Sequence, residues 1–380
     1  MNYYTKYLKY KNKYLTLKNQ LGGETEYTGE LKDGKRDGQG IMRYSNGDVY
    51  SGNWLNDKKN GQGTCNYIVG ARYDGYWVDD KKNGQGTMSY PNGDTYDGNW
   101  ILDKRDGQGT YNYTNGGRYE GNFTDDKRNG QGIIHLKNGN IYSGNWLNDK
   151  IDGQGTMRYS NGDVYSGNWN DNKKNGQGEM LYANTNIYNG NWKDGVRYGK
   201  GRMIFNKPMN ISYDRTIVNY VIGDIYSGDW KDDSICGIGI LSYANGDVYS
   251  GEWQIYSKHG RGTMRYANGD IYEGKWNMNT KNGNGIMHYT PGETYDGNWM
   301  DDTKHGNGKY NFINGNVYIG EWNNNIQDGE GIMQYANGDD YIGEWKNNKK
   351  DGNGKMNYIT GKKLEGIWED DVFVKHFITQ

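Results

Sequence analysis

A fixed period limits this chain more than any other feature. The thirteen residues "MRYSNGDVYSGNW" at 42–54 return at 157–169, an offset of 115, which is five times 23. Tyr-x-Gly-x-Trp begins at Tyr50 and recurs every 23 residues, through Tyr73, Tyr96, Tyr119, Tyr142 and Tyr165 to Tyr188. It resumes at Tyr226 and runs on the same spacing to Tyr341, with a weaker copy at Leu364 and an earlier one at Tyr27. All 13 tryptophans occupy the last slot of this motif. A second marker, Gly-x-Gly, keeps the period from Gly38–Gly40 through Gly61–Gly63 to Gly352–Gly354. Self-similarity of this kind means units that cannot bury their apolar face alone and must stack on their neighbours. One interval, Tyr188 to Tyr226, is 38 residues, or one period plus fifteen.

The repeats run from about residue 27 to 368 and leave no stretch for a separate catalytic domain. Hydrophobic residues make up only 33%, with 5 Phe, yet there are 37 Tyr. Such a chain has no large aliphatic core to build, so its rings must be buried locally, unit by unit. After each Gly-x-Gly an apolar residue and an aromatic alternate with polar ones, as in Met42, Arg43 and Tyr44. Alternation with period two reads as a half-buried strand, and Tyr50 to Trp54 reads as a second one. Asn46-Gly47 between them is a hairpin signal. A three-residue loop with Gly47 as a left-handed bulge is expected, pairing Tyr44 with Tyr50, Met42 with Gly52 and Gly40 with Trp54. A tighter turn would instead pair Tyr44 with Val49 and set Trp54 opposite Gln39. Six-residue links such as 55–60 would then join one hairpin to the next. The expected repeat core is Tyr50, Gly52, Trp54, Gly61 and Gly63, with Tyr165, Gly167 and Trp169 as its image five units on.

Tyr-x-Gly-x-Trp, a polar link, Gly-x-Gly and an aromatic, on a period of 23, resembles the MORN repeat (membrane occupation and recognition nexus), over about nine-tenths of the chain. The resemblance implies an all-β fold, an elongated solenoid or ribbon of about fifteen antiparallel hairpins. It also implies use as a scaffold, dimerisation or docking surface, with lipid binding claimed for some members.

No enzyme chemistry emerges from the residues. A phosphate-binding Gly-x-Gly needs a helix after it, whereas a strand follows here. The five histidines (His135, His259, His288, His305 and His376) sit on distant units with no cysteine at metal-ligand spacing, and read as surface groups. Cys65 and Cys236 are 171 residues apart and read as free thiols of a reducing compartment. No catalytic, metal or cofactor residue is therefore expected. The mixed charges of the links, such as Asp79-Asp80-Lys81-Lys82, offer no basic groove, so no nucleic acid partner is expected. The residue before the motif's last slot, Asn at 53, 99, 122, 145, 168 and 191 but acidic at Asp229, Glu252, Glu321 and Glu344, reads as a polar ladder, with a partner-reading stripe as the alternative.

Two segments leave the period. Residues 206–223 insert in a hairpin turn. They read as a solvated loop or lengthened hairpin, with Ile211, Tyr213, Ile217 and Tyr220 as candidate partner contacts if the segment docks instead. Residues 1–23 read as a basic amphipathic helix, with Tyr3, Tyr10 and Leu17 spaced by seven, as are Tyr7, Tyr14 and Leu21. Lys6, Lys9, Lys11, Lys13 and Lys18 give it +5 with no acid, leaving −7 for the rest of a chain whose total is −2. It contains no apolar run long enough for a signal peptide or a membrane span. Candidate protein or membrane contacts there are Lys6, Tyr7, Lys9, Tyr10, Lys11, Lys13, Tyr14, Leu17 and Lys18. The phrase "KYLKYKNKYLTLKNQLGG" resembles a leader of mimivirus-like giant DNA virus proteins, which implies a viral origin and a place in host cytoplasm or virion. Residues 369–380, with Val372, Phe373, Val374, Phe377 and Ile378, are expected to cap the last strand. The function expected is a non-enzymatic scaffold with protein partners, a homodimer being one form of it. The alternative is a tether to an anionic membrane through residues 1–23.

Overall fold

The computed structural model describes residues 25–213 and 216–376. The expected N-terminal helix, and Phe377 and Ile378 of the expected cap, lie outside these residues. Among the described residues there are 32 strands and no helix, so none is long and apolar enough to cross a membrane. The chain divides into two units, Met1–Ala183 and Asn184–Gln380. In each, strands adjacent in sequence pair antiparallel, as a meander.

One repeat of the first unit shows why these residues form these strands. Lys35–Arg43 pairs with Val49–Leu55, placing Met42 opposite Tyr50, Gly40 opposite Gly52 and Gly38 opposite Trp54. The loop holds three residues. The amide of Tyr44 donates to the Asp48 carbonyl at 2.9 Å, and that of Gly47, at φ 89°, donates to the Tyr44 carbonyl at 2.8 Å. The expected pairing of Tyr44 with Tyr50 is thus two residues out of register, as it would have needed a five-residue loop. The tighter alternative is not formed either. Because the error is an even number, the expected inner face stays inner: Met42, Tyr50 and Trp54 are all buried.

The expected link is also corrected. Leu55 pairs with Lys58 across a two-residue turn in which Asn56 and Asp57 have φ 47° and 69°. Both central residues are left-handed, the geometry that suits the twist of a hairpin, and Asn and Asp tolerate it better than most residues. Val49–Leu55 and Lys58–Asn66 therefore form a second hairpin, with a bulge opposite Gly52–Trp54 where Gly61 reaches φ 90°.

The core is a row of rings shared between repeats. Tyr50, with no exposed surface, stands edge-on to Trp54 at 5.1 Å and to Trp77 of the next repeat at 5.5 Å. Such pairs add about 0.5–1.5 kcal/mol beyond the area they bury. The Tyr50 hydroxyl donates to the Asn53 carbonyl and the Trp54 indole N–H to the Gly40 carbonyl, so both polar tips are satisfied. Gly63 is required by close approach: a Cβ there would lie 2.3 Å from the Tyr50 Oη. Tyr165 and Trp169 repeat this arrangement at 5.1 Å, with Gly167 against Gly178 beneath them.

The second unit uses the same rings and adds two elements. Met209–Tyr213 and Thr216–Tyr220 pair as a hairpin grafted onto one turn, whose base is closed by the Phe205 amide on the Asp224 carbonyl at 3.0 Å. At the other end Val372–His376 pairs with Lys363–Glu369, and Phe373 meets Trp368 at 5.3 Å. Val372 and Val374 stay exposed, so among the described residues of the expected cap it is Phe373 that covers the last indole.

Candidate functional site

Nine residues after the motif tyrosine, most repeats carry a cation whose stem crosses the inner ring row. The Lys59 Nζ lies 4.5 Å from the Trp77 ring and 5.4 Å from Tyr50. The Arg128 guanidinium lies 4.2 Å from Trp146. Each contact of this kind contributes on the order of 1 kcal/mol. The amide of the same residue donates to the second residue of the turn 21 positions on, from Lys59 to the Asp80 Oδ1 at 2.9 Å and from Arg128 to the Asp149 Oδ1 at 3.0 Å. One aspartate thereby adopts the left-handed turn, accepts a neighbour's amide and faces its cation. The amide of Arg36, and then its side chain, hold the Asp57 carboxyl below its usual range. Sequence reasoning read these charges as solvated links and missed the row, although the recurrence of Lys or Arg at one slot was a usable signal.

The opposite face carries the polar ladder. In the first unit Gln85 donates to Asn99 at 2.7 Å and Gln108 to Asn122 at 2.6 Å, while Gln39 and Asn53 make the same bond. In the second unit several rungs are charged or mixed, with Arg261 opposite Lys275, Asn307 opposite Glu321 and Glu330 opposite Glu344, while Asn284 faces Asn298.

The structure buries Tyr50, Trp54, Tyr165 and Trp169 in the inner row, with Gly52, Gly63 and Gly167 against the rings and Gly61 at a bulge. Tyr220 is not an exposed partner contact. It is 1% exposed and stacks on Phe205 at 4.3 Å, an anchor of the inserted hairpin. Ile211 is half-buried. The side chains of Tyr213 and Ile217, and all the candidate contacts in residues 1–23, lie outside the described residues. His259 and His305 are not surface groups, since their Nδ1 atoms are buried without a hydrogen bond. Burial pushes the Cys65 thiol up. Among the described residues no three His, Cys, Asp or Glu are grouped to hold a metal.

Comparison with known proteins agrees with the repeat geometry. No curated protein matches the chain. Among solved structures, the TCP domain of Drosophila melanogaster SAS-4, in complex with a proline-rich motif of dSTIL, is 18% identical, with 42% of this chain and 88% of that one covered at a TM-score of 0.25. The TCP10 domain of Danio rerio CPAP, in complex with a STIL peptide, is 12% identical over 68% of this chain and 93% of that one, at 0.23. A streptogramin B lyase is 14% identical over 84% and 94%, at 0.13. The MORN repeat model matches fourteen times, through residues 27–207 and 226–363. With the period, the shared ring row and these matches over most of its length, the chain belongs to the MORN-repeat family.

Proposed function

We propose that this protein is a non-enzymatic scaffold that binds other proteins along its repeats. The observation that supports this most is reiteration: successive repeats present the same ring row, and most of them the same cation slot, on a 23-residue period broken once. Catalysis uses one constellation of unlike groups, whereas identical slots suit multivalent attachment. The outward rungs, which carry no packing duty, are the positions where partners would be told apart. The resemblance of residues 6–23 to giant-virus leaders supports placing the scaffold in a viral assembly.

The test is affinity capture of the tagged full chain from its native cells, with crosslinks mapped by mass spectrometry. Crosslinks to proteins at several repeats are expected. Crosslinks confined to residues 1–23, or recovery of anionic lipid alone, would favour the membrane tether. Turnover of a substrate by the purified protein, abolished by one polar substitution, would overturn the reading altogether.

A further inference from the structure

Among the repeats whose turn ends in Asp or Asn, one rule fails in two places. Among the described residues, the cations whose amides bond the turn of the next repeat find an Asp there, as at Arg36–Asp57, Lys59–Asp80, Arg197–Asp233 and Lys281–Asp302. Where the slot is neutral, at Ile151 and Gln327, the turn supplies Asn172 and Asn348 instead. Charge in the slot and charge in the turn thus match. Lys258 and Lys304 break the match, because their amides bond Asn279 and Asn325. Neither makes an ion pair among the described residues, although Glu293 acts on Lys304, and Asp302 and Asp247 on Lys258, from farther off. The Lys304 Nζ lies 4.4 Å from the Tyr310 ring and 4.5 Å from Trp322.

Lys304 combines this with space. It opens on a cavity of about 470 Å³, rimmed by the half-buried rings of Phe312 and Tyr335. The cavity exists because Gln327, 4% exposed, takes the slot where neighbouring repeats carry a longer cation over the next indole. Asn325 and Asn348 line it too, and their Oδ1 atoms are committed to the amides of Lys304 and Gln327 at 2.8 Å. Their NH2 groups are therefore left as donors.

We propose that this cavity binds a segment of an acidic peptide, one carboxylate seated against Lys304 and its backbone carbonyls on the Asn325 and Asn348 amides. The proposal rests on the scaffold reading and names the chemistry of one docking point. One cation and two amide donors fit a monoanion on a backbone. Asp371 lines the same cavity and would repel a dianion such as phosphate. The rim rings supply apolar contact for the residues flanking the acid.

The test is calorimetric titration of the full chain with a blocked pentapeptide carrying one Glu between valines, its Gln twin and its phosphoserine twin. The Glu peptide is expected to bind at least tenfold more tightly than the Gln twin. N325D supplies the missing carboxylate in the form other repeats already tolerate, and should cost tenfold or more with an unchanged circular dichroism spectrum. Equal binding of the Glu and Gln peptides, indifference to N325D, or tighter binding of the phosphoserine twin would each overturn the proposal. The two readings fail separately. Wild-type capture without protein partners sinks the scaffold, whereas a Glu peptide indifferent to N325D sinks this site alone.

Discussion

In residues 25–183 the outward rungs are mostly Gln opposite Asn, and the charged slots from Arg36 to Arg128 on the inner face are matched by aspartates. In residues 184–376 the rungs include Ile238 opposite Glu252 and Glu330 opposite Glu344, two lysines face asparagines, and one turn carries a hairpin. The inner tyrosines do not differ: Tyr73 and Tyr272 are both fully buried, each between two indoles. The contrast separates two constraints. Positions that share a ring with the next repeat cannot shrink without opening a cavity, and from Tyr50 to Trp345 they stay aromatic in both units, Phe123 replacing one indole. Positions facing solvent carry no such penalty, and they diverge at Gln62–Tyr76 in the first unit and more often in the second. Uniformity marks what holds the fold, and divergence within 184–376 marks where recognition has room to be specific.

If the core is common to both units, Trp100→Ala and Trp299→Ala should be equally severe. Each indole is at most 4% exposed, meets two tyrosines and donates to a glycine carbonyl at 3.0 Å. A loss of about 3–5 kcal/mol is expected from each in urea denaturation. A much smaller loss from one of them would break the claim of a shared core. The inserted hairpin belongs to the same argument through a single ring. Tyr220→Ala should cost about 3 kcal/mol by removing the face stacked on Phe205, although Tyr220 is not a repeat residue. Removing residues 370–380 should cause aggregation, seen by light scattering, because it strips Phe373 from Trp368 and bares a paired strand edge. A soluble, equally stable truncation would show that the last strand caps nothing.

The period, the hairpins and the inner face were legible because each is a local pattern repeated many times. The register was not, because a glycine beneath a ring can be supplied by either neighbouring strand. Trp54 lies opposite Gly38 rather than Gly40, while Tyr50 covers Gly63 of the following strand. Parity protected the assignment of faces. The turn at Asn56-Asp57 was hidden by its own length: six polar residues look like a link until two of them prove left-handed. Tyr220 was misread because apolar residues off the period look exposed in sequence, whereas its partner Phe205 directly follows the strand Val196–Ile204. The cation row needed the third dimension, since Lys59 and Asp80 meet only when repeats stack.

pH should sharpen the comparison. Burial holds the Tyr73 and Tyr272 hydroxyls well above their usual value of about 10, as it does along both units. A raised folded pKa means stability that is complete below about pH 10 and lost as the pH climbs past it. The lysines have the opposite sign. Burial lowers Lys258 and Lys304 to about 8, opposed at Lys304 by Glu293 and at Lys258 by Asp302 and Asp247, and aided at Lys258 by Lys281. Between about pH 8 and 10 the unfolded chain binds more protons at these two positions, so stability should rise with pH there. The urea midpoint is expected to climb from pH 8 to 10 and then fall. The double variant K258M/K304M should lose most of the climb and keep the fall. A midpoint that is flat in wild type below pH 10 would remove the lysines' claim to be uncompensated.

The smallest expected effect is the most direct test of the charge-matching rule. Lys281 faces Asp302 at 3.9 Å, whereas Lys304, one repeat later, faces Asn325 with the same backbone bond. Since Asp and Asn both accept that bond through Oδ1, exchanging them changes charge and leaves the turn intact. D302N should therefore destabilise by about 0.5–1 kcal/mol, and N325D should stabilise by a similar amount at pH 7 and low salt. The figures are modest because the aspartate is half exposed, which screens the pair. Raising the salt to about 1 M should shrink both effects, since the screening length falls to about 3 Å. Combined in one chain the two substitutions should nearly cancel. If N325D instead destabilises, the asparagine there serves packing rather than charge, and Lys304 is not the exposed exception that distinguishes the second unit from the first.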